Sequence, residues 1–124
     1  MSVLGLGLDL VDVTRFERVL ARRPALARRL FSAEELSYAG TLRNPAPTLA
    51  GRFAAKEAVM KALGVGVGAI DWTDVSVVRT PGGAPRLVVG GRAARLADAL
   101  GVGGWSVSIS HTAGVAGAVV AALP

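Results

Sequence analysis

Five short segments of the chain alternate apolar residues with other residues in the way that is typical of β-strands. The first lies near the N-terminus, and the other four form two pairs, each joined by a short turn that contains glycine. The predicted strands span residues 3–10, 75–79, 86–89, 106–110 and 115–121. In the first strand we expect Leu8 and Leu10 to point into the core and Asp9 to lie at the strand edge.

Between these strands, apolar residues recur at the helical spacing of three to four. Thr14 and Glu17 have capping-box spacing, and Ser32 and Glu35 repeat it, so each pair predicts a helix start. Gly64 follows a long alanine-rich segment and is predicted to end its helix. Helices are predicted from residue 14, around residues 26–31, and over residues 32–42, 48–63 and 92–100.

The order of these elements is strand, helices, hairpin, helix, hairpin. This order predicts an α+β fold in which a mostly antiparallel sheet packs against the long central helix. The 124 residues suit one hydrophobic core, and no repeat or linker divides them. We therefore expect residues 1–124 to form a single domain.

Composition narrows the functional classes. The chain has no cysteine, which excludes a disulfide scaffold and thiolate chemistry, and 52% of its residues are hydrophobic. So large an apolar fraction in a short chain indicates that subunits bury surface against each other, and we expect a homo-oligomer.

The start lacks a basic leader, and no segment resembles a membrane helix, so we expect a cytoplasmic protein with no membrane partner. The net charge of +5 favours an acidic partner.

The long helix carries the most informative side chains. Phe53, Glu57 and Lys61 are spaced by four residues and project from one side, while Arg52 and Lys56 form the adjacent row. With the glycine-rich segment that follows, they could cradle a polyphosphate, because loop N–H groups and cations would share its negative charge. The alternative is an exposed helix with Glu–Lys pairs and a flexible loop. The chain has only two lysines, and their clustering here favours the phosphate site.

Two carboxylates and one histidine are the further candidates for chemistry. Asp9 and Glu57 would together supply two hard oxygen ligands, which suits Mg²⁺ completed by water and substrate phosphates. The lack of a His/Cys set argues against zinc. His111, the only histidine, lies at the mouth of the last predicted hairpin. A lone histidine in such a place is more often a hydrogen-bonded turn residue, although a phosphate contact is compatible with its flanking hydroxyls.

Three motifs, in this order and spacing, resemble the holo-[acyl-carrier-protein] synthase family of phosphopantetheinyl transferases. They are Gly7-Leu-Asp-Leu-Val-Asp12 followed by Arg15, Gly51-Arg-Phe-Ala-Ala-Lys-Glu-Ala continued by Lys61-Ala-Leu-Gly64, and Ser108-Ile-Ser-His-Thr112. The resemblance implies a 4'-phosphopantetheinyl transferase fold and enzyme. Its reaction would move phosphopantetheine from coenzyme A to a serine of apo acyl carrier protein, releasing adenosine 3',5'-bisphosphate and supporting fatty acid biosynthesis.

The resemblance also implies residue roles. Asp9 and Glu57 would bind Mg²⁺, and Lys61 would act with them in catalysis by stabilising or protonating the leaving group. Cofactor contacts are implied for Arg52, Lys56, Lys61, Gly64 and His111. Docking of the carrier protein is implied for Arg15, Val19, Arg22 and Arg29. A homotrimer with active sites between subunits is implied as well. Val65 and Ala84 depart from the threonine and lysine that are usual in the family, which affects details of cofactor contact.

Two alternatives from other classes remain. A basic module that binds nucleic acid would suit the arginine-rich helices and the sequence pI of 11.1. Against it, the chain has three Phe, two Trp and one Tyr without a stacking cluster, and acidic residues lie among the basic ones of the long helix. We therefore expect no nucleic acid partner. An inactive oligomer with the same fold is the second alternative, and the complete set of Asp9, Glu57 and Lys61 argues against it.

Overall fold

The first strand and the last two strands form one antiparallel sheet in the computed structural model, which describes residues 2–124. Its strands are β1 (Gly5–Asp12), β4 (Gly104–Thr112) and β5 (Val115–Leu123), in the order β1-β5-β4. A separate hairpin pairs β2 (Val75–Arg79) with β3 (Pro85–Val89). The predicted strands are therefore present, although they divide between two antiparallel sheets.

Five helices and one short 3₁₀ turn connect these strands within the described residues. They are α1 (Val13–Arg22), α2 (Leu26–Leu30), α3 (Ala33–Ala39), α4 (Ala46–Leu63), the 3₁₀ turn Trp72–Asp74 and α5 (Gly91–Ala99). The central helix α4 lies across the three-stranded sheet, and its alanines at positions 50, 54, 55 and 58 are fully buried. Small side chains let the helix and sheet approach closely, and large apolar residues fill the core beside them. Among residues 2–124, none of the helices has the length and apolar character needed to cross a membrane.

The contact between β1 and α4 is unusually close because β1 turns glycines towards the helix. A Cβ atom added to Gly7 would lie 1.8 Å from the carbonyl oxygen of Ala58, and one added to Gly5 would lie 1.9 Å from that of Ala62. Only glycine can occupy such positions. Helix α4 therefore packs against the face of β1 that bears Gly5, Gly7 and Asp9.

The leucines of β1 consequently point the other way. Leu6, Leu8 and Leu10 are 66%, 56% and 67% exposed, because alternate residues of a strand face opposite sides of the sheet. The prediction that Leu8 and Leu10 point into the core is wrong. These leucines and the half-exposed Val115 and Val119 form an apolar outer face of the sheet in the protomer.

The helix boundaries follow local capping chemistry. The α1 helix begins one residue earlier than predicted, because Asp12, and not Thr14, caps it by accepting the backbone N–H of Arg15 at 2.8 Å. The predicted capping box at Ser32 and Glu35 is confirmed, although the α3 helix ends at Ala39 instead of continuing to residue 42. Gly64 ends α4 as predicted, with a left-handed φ of 72° that favours glycine.

Candidate active site

Asp9, Glu57 and Lys61 meet where β1 crosses α4. Asp9 shares the inward face of β1 with the glycines that allow the close approach, and Glu57 and Lys61 lie one helical turn apart. Lys61 Nζ donates to Asp9 Oδ1 at 3.0 Å and to the backbone oxygen of Leu8 at 2.8 Å. The structure thus brings together the two acidic side chains that lie 48 positions apart in the sequence.

The electrostatics of this group favour a divalent cation. Burial raises the pKa of Glu57, and the charge of Asp9 raises it further, while Lys61 lowers it. The positive charge of one lysine therefore does not fully offset the negative charges of two neighbouring carboxylates, and a bound cation would relieve the repulsion between these carboxylates. Within residues 2–124, no cluster of three or more His, Cys, Asp or Glu side chains is present. A pair of carboxylates fits Mg²⁺, which commonly takes one or two carboxylates and completes its shell with water and substrate phosphates.

A cleft of about 510 Å³ opens beside the carboxylates. Its floor is aromatic: Phe53 lies between Phe16 and Trp72, and its ring centroid is 5.1 Å from each of theirs. Further lining residues are Asp9, Asp12, Arg15, Val19, Leu26, Leu30 and Glu57. The cleft therefore joins an apolar trough to an acidic end, which suits a substrate with an apolar surface and a phosphate-bearing reacting group.

Arg52 and Lys56 lie on the other side of α4 from this cleft. Positions 52 and 57 are about 140° apart around a helix of about 3.6 residues per turn. Lys56 is 1% exposed, and its ammonium donates to Glu35 Oε1 at 2.7 Å and to the backbone oxygens of Trp72 and Val75. All three of its donors are thus used inside the protein. Lys56 therefore ties α4 to α3 and β2, and the predicted contact of Lys56 with the cofactor phosphates would require one of these partners to be released.

Arg52 is also largely buried, at 7% exposure, and its guanidinium carbon lies 4.9 Å from the ring centroid of Tyr38. Its Nε atom has no hydrogen-bond partner. A buried donor without a partner is uncommon in proteins. The structure therefore leaves Arg52 available for an anion, at a place distinct from the carboxylates of the same protomer.

Gly64 and His111 lie near two different edges of the molecule. Gly64 borders a depression together with Lys61 and Ala62, so it is close to the catalytic candidates. His111 is exposed on β4 and pairs with Ala116 of β5, which in turn pairs with Val11 of β1. Two strand spacings of about 4.8 Å therefore separate His111 from β1. In one protomer, His111 does not meet Asp9 and Glu57.

The predicted docking residues occupy two neighbouring surfaces. Arg15, Val19 and Arg22 are exposed on α1, and the first two line the cleft. Arg29 is exposed on the short α2 helix and lines a separate basic depression with Arg92. The two helices are joined by only three residues, so these positions can form one continuous basic rim.

Comparison with known proteins identifies the family. The model of the 4'-phosphopantetheinyl transferase superfamily matches residues 5–120. Holo-[acyl-carrier-protein] synthase of Streptomyces coelicolor is 52% identical over 122 residues, which are 98% of either chain. The chain belongs to the holo-[acyl-carrier-protein] synthase family. The family predicted from the sequence motifs is thereby confirmed, and the chain is a phosphopantetheinyl transferase.

Solved structures of this family have the same fold. Holo-[acyl-carrier-protein] synthase of Neisseria meningitidis superposes with a TM-score of 0.90 at 30% identity, covering 99% of this chain and 100% of that one. The Helicobacter pylori synthase, solved in complex with coenzyme A, gives a TM-score of 0.80 at 31% identity, covering 94% of this chain and 98% of that one. The predicted α+β fold is thus confirmed.

The structure adds residues to the candidate site that no sequence pattern indicated. Trp72, the first residue of the 3₁₀ turn, extends the aromatic floor of the cleft. Tyr38 and Arg79 gather around Arg52 from α3 and β2. These three residues are far from the motifs in sequence, and isolated aromatic and arginine residues carry no periodic signal, so only the folded chain reveals them.

Proposed function

We propose that Asp9, Glu57 and Lys61, at the end of the aromatic cleft, form the active site in which this chain transfers 4'-phosphopantetheine from coenzyme A to a serine of apo acyl carrier protein. Holo acyl carrier protein and adenosine 3',5'-bisphosphate are the products. The observation that carries the proposal is the convergence of the two carboxylates and one ammonium at the end of an open cleft. The family membership of the chain supports the same reaction.

Asp9 and Glu57 would hold Mg²⁺. When bound, the ion supplies charge neutralisation and orientation of the phosphates, which phosphoryl transfer needs because the attacking hydroxyl must approach a charged phosphorus in line. The raised pKa of Glu57 agrees with this role, since two adjacent carboxylates are better stabilised with a cation than without one.

Lys61 is the catalytic cation of the chain itself. Its ammonium is held by Asp9 and by the backbone oxygen of Leu8, so its position is set before substrate arrives. Its side chain is half-exposed, which leaves the remaining donor accessible, and it lines the depression that Gly64 also borders. From there it would bind an oxygen of the donor pyrophosphate and stabilise the charge that develops on the departing adenosine bisphosphate.

Arg52 and His111 both lie away from Asp9 and Glu57 of the same protomer, and this placement supports an active site shared between protomers. Coenzyme A carries a pyrophosphate and, on its ribose, a separate phosphate. Asp9 and Glu57 of one protomer would act on the first, and Arg52, Gly64 and His111 would contribute contacts to the nucleotide from both sides of the interface. The apolar outer face of the sheet, with leucines more than half exposed, supports a homo-oligomer that covers this face, and the resemblance to the family implies that it is a homotrimer.

The cleft rim would dock the carrier protein. Arg15, Arg22 and Arg29 would meet acidic side chains of the carrier, and Val19 would contribute apolar contact above the aromatic floor. The formal charge of +5 suits such an acidic partner. We further propose a single domain of residues 1–124, a cytoplasmic location where coenzyme A is available, and a role in fatty acid biosynthesis.

Mass spectrometry of the carrier protein tests the function. Incubation with Mg²⁺, coenzyme A and apo carrier protein should add the mass of phosphopantetheine to one serine. Glu57→Gln should lower the Mg²⁺-dependent rate by at least about 100-fold, equivalent to about 3 kcal/mol of transition-state stabilisation. Asp98→Asn, which removes an exposed carboxylate on α5, is the control and should keep the wild-type rate.

Two results would count against these assignments. No mass gain with several different carrier proteins would favour the inactive oligomer over the transferase. A near-normal rate for Glu57→Gln, measured in protein with wild-type circular dichroism, would show that the metal assignment is wrong while leaving the transferase activity in place.

A further inference from the structure

Lys61 is bound to a side chain that the proposed function assigns to a metal ion. Its ammonium donates to Asp9 Oδ1 at 3.0 Å and to the backbone oxygen of Leu8 at 2.8 Å. Glu57 lies one helical turn before Lys61 on α4, and Asp9 and Lys61 are the two charged groups that act on it. Lys61 is therefore the protein's own cation for this pair of carboxylates.

The formal charges at this site favour the joint binding of a metal ion and a donor. Two carboxylates and one ammonium leave the site with a single net negative charge. A divalent cation alone would reverse the sign of this charge, and it would lie beside an ammonium that is already bound to Asp9. The pyrophosphate of coenzyme A carries a negative charge on each phosphate, so the cation and the donor together keep the site negative. Each of the two ligands thus relieves the repulsion that opposes the other.

The hydrogen bonds of Lys61 allow it to exchange partners while one contact is kept. An ammonium has three donors, of which Asp9 and the backbone of Leu8 take two. The Leu8 contact can stay in place when the Asp9 contact is exchanged for a phosphate oxygen. The side chain of Lys61 is 52% exposed and that of Asp9 only 17%. A donor phosphate can therefore reach the ammonium directly, whereas the carboxylate becomes more accessible to an ion once the ammonium turns away.

We propose that Lys61 couples the binding of the divalent cation to the binding of the donor. While Asp9 holds the ammonium, the protein alone binds the cation weakly. The donor pyrophosphate accepts the ammonium, and this releases Asp9 for the cation. The inference rests on the proposed function, and it gives Lys61 a positioning role that precedes its part in the transfer step.

A simpler explanation would couple the two ligands without Lys61. Donor phosphates coordinate the cation directly, and this alone makes each ligand strengthen the binding of the other. The two explanations differ in what they predict for the protein without donor. If Lys61 opposes the cation, removing its charge strengthens cation binding. If phosphate coordination is the only cause, removing the charge leaves cation binding to the protein alone unchanged.

Titration with Mn²⁺ distinguishes these explanations. Mn²⁺ takes the same oxygen ligands as Mg²⁺, and electron paramagnetic resonance counts the free ion, so Kd is measured without turnover. Without coenzyme A, Lys61→Met should bind Mn²⁺ about 10-fold more tightly than wild type, because a positive charge a few ångströms away is lost. Lys61→Arg keeps the charge and should bind Mn²⁺ as weakly as wild type. Arg95→Gln removes an exposed arginine on α5 and should also bind as wild type does.

The same titration in saturating coenzyme A measures the coupling. No carrier protein is present, so no transfer takes place, and binding of Mn²⁺ by coenzyme A alone is measured separately and subtracted. The ratio of the Kd values without and with coenzyme A should be about 3- to 10-fold smaller in Lys61→Met than in wild type. Because coupling is reciprocal, Mn²⁺ should strengthen coenzyme A binding by the same ratio in each protein.

The composition of the chain offers a second measurement on the wild-type protein. Lys56 and Lys61 are its only lysines, so protein labelled with ¹³C at lysine Cε gives two signals in nuclear magnetic resonance. Lys56 is buried against Glu35 and serves as the internal reference. Coenzyme A with Mg²⁺ should move the Lys61 signal and leave the Lys56 signal in place. Mg²⁺ alone, at a concentration below its Kd for the protein, should leave both signals in place.

The outcomes separate this coupling from the function on which it rests. Equal Mn²⁺ affinity of wild type and Lys61→Met without donor, or an unchanged Lys61 signal in the complex with Mg²⁺ and coenzyme A, would refute the coupling while transfer itself stands. Equally tightened binding in Arg95→Gln would assign the effect to net charge and would refute it as well. If wild-type protein modifies no carrier protein in the mass-spectrometric assay, the proposed function is refuted, whatever the Mn²⁺ affinities are.

Discussion

Gly7→Ala tests whether the close approach of β1 to α4 positions the proposed catalytic residues. The added Cβ atom would lie 1.8 Å from the carbonyl oxygen of Ala58, whereas real Cβ contacts are essentially never shorter than 3.0 Å. The obstacle is helix backbone, which cannot rotate away as a side chain can. The strand must therefore move from the helix by at least about 1.2 Å, the difference between these distances.

This displacement has consequences for activity and stability. Lys61 donates to Asp9 at 3.0 Å and to Leu8 at 2.8 Å, and a shift of more than 1 Å takes both contacts beyond hydrogen-bond length. A misplacement of about 1 Å in a catalytic group can cost about 100-fold in rate, or about 2.7 kcal/mol. Overpacking of this kind should also lower the free energy of unfolding by about 3 kcal/mol and Tm by about 10 °C.

The assay measures both quantities in one set of variants. Initial rates of carrier modification are compared well below the Tm of the variant, so that a loss of folded protein does not mimic a loss of catalysis. Gly104→Ala serves as the matched control, because a Cβ atom there meets nothing within 4 Å. A Gly7→Ala protein with wild-type Tm and a rate within threefold of wild type would refute the role of the glycine contact in placing Asp9.

Four further outcomes follow from the described geometry. Charge reversal at Arg15 and Arg22 should raise the KM for carrier protein far more than that for coenzyme A; an equal rise would reject the docking surface. Lys56→Met leaves its buried carboxylate partner uncompensated and should cost about 3–5 kcal/mol in chemical denaturation, whereas an unchanged midpoint would contradict the buried ion pair. Because burial and the charge of Asp9 raise the pKa of Glu57, its carboxylate is protonated at a higher pH than that of an ordinary glutamate, so the Mg²⁺-induced rise in Tm at a fixed, subsaturating Mg²⁺ concentration should be full at neutral pH and decline on acidification; the same pH dependence in Glu57→Gln would argue against Glu57 as a ligand. Leu8→Asp should dissociate the proposed trimer in light scattering, and an unchanged mass would show that the apolar outer face is not the interface.

Local patterns in the sequence determined most secondary structure. The apolar alternation located all five strands within a few residues, and Gly64 and the Ser32–Glu35 capping box located helix ends, because hydrogen bonding between near neighbours decides these features. The helical spacing of Glu57 and Lys61 likewise placed them on one side of α4. Their meeting with Asp9 was expected from chemistry and motif order, and the folded chain brings the three together.

Tertiary structure decided what local patterns could not. Alternation along β1 shows that Leu8 and Asp9 face opposite sides, but either side could be the core, and the glycines that admit α4 settle which one it is. In the same way, Lys56 and Arg52 have the same charge and lie in one row of the helix, so the sequence does not distinguish them. In the structure, Lys56 forms an ion pair with a buried carboxylate, whereas the Nε donor of Arg52 has no partner. The burial and the pairing of a side chain depend on contacts between segments that are distant in the sequence. The sequence therefore specifies which side chains are present at this site, but only the folded structure decides which of them remain free to bind a substrate.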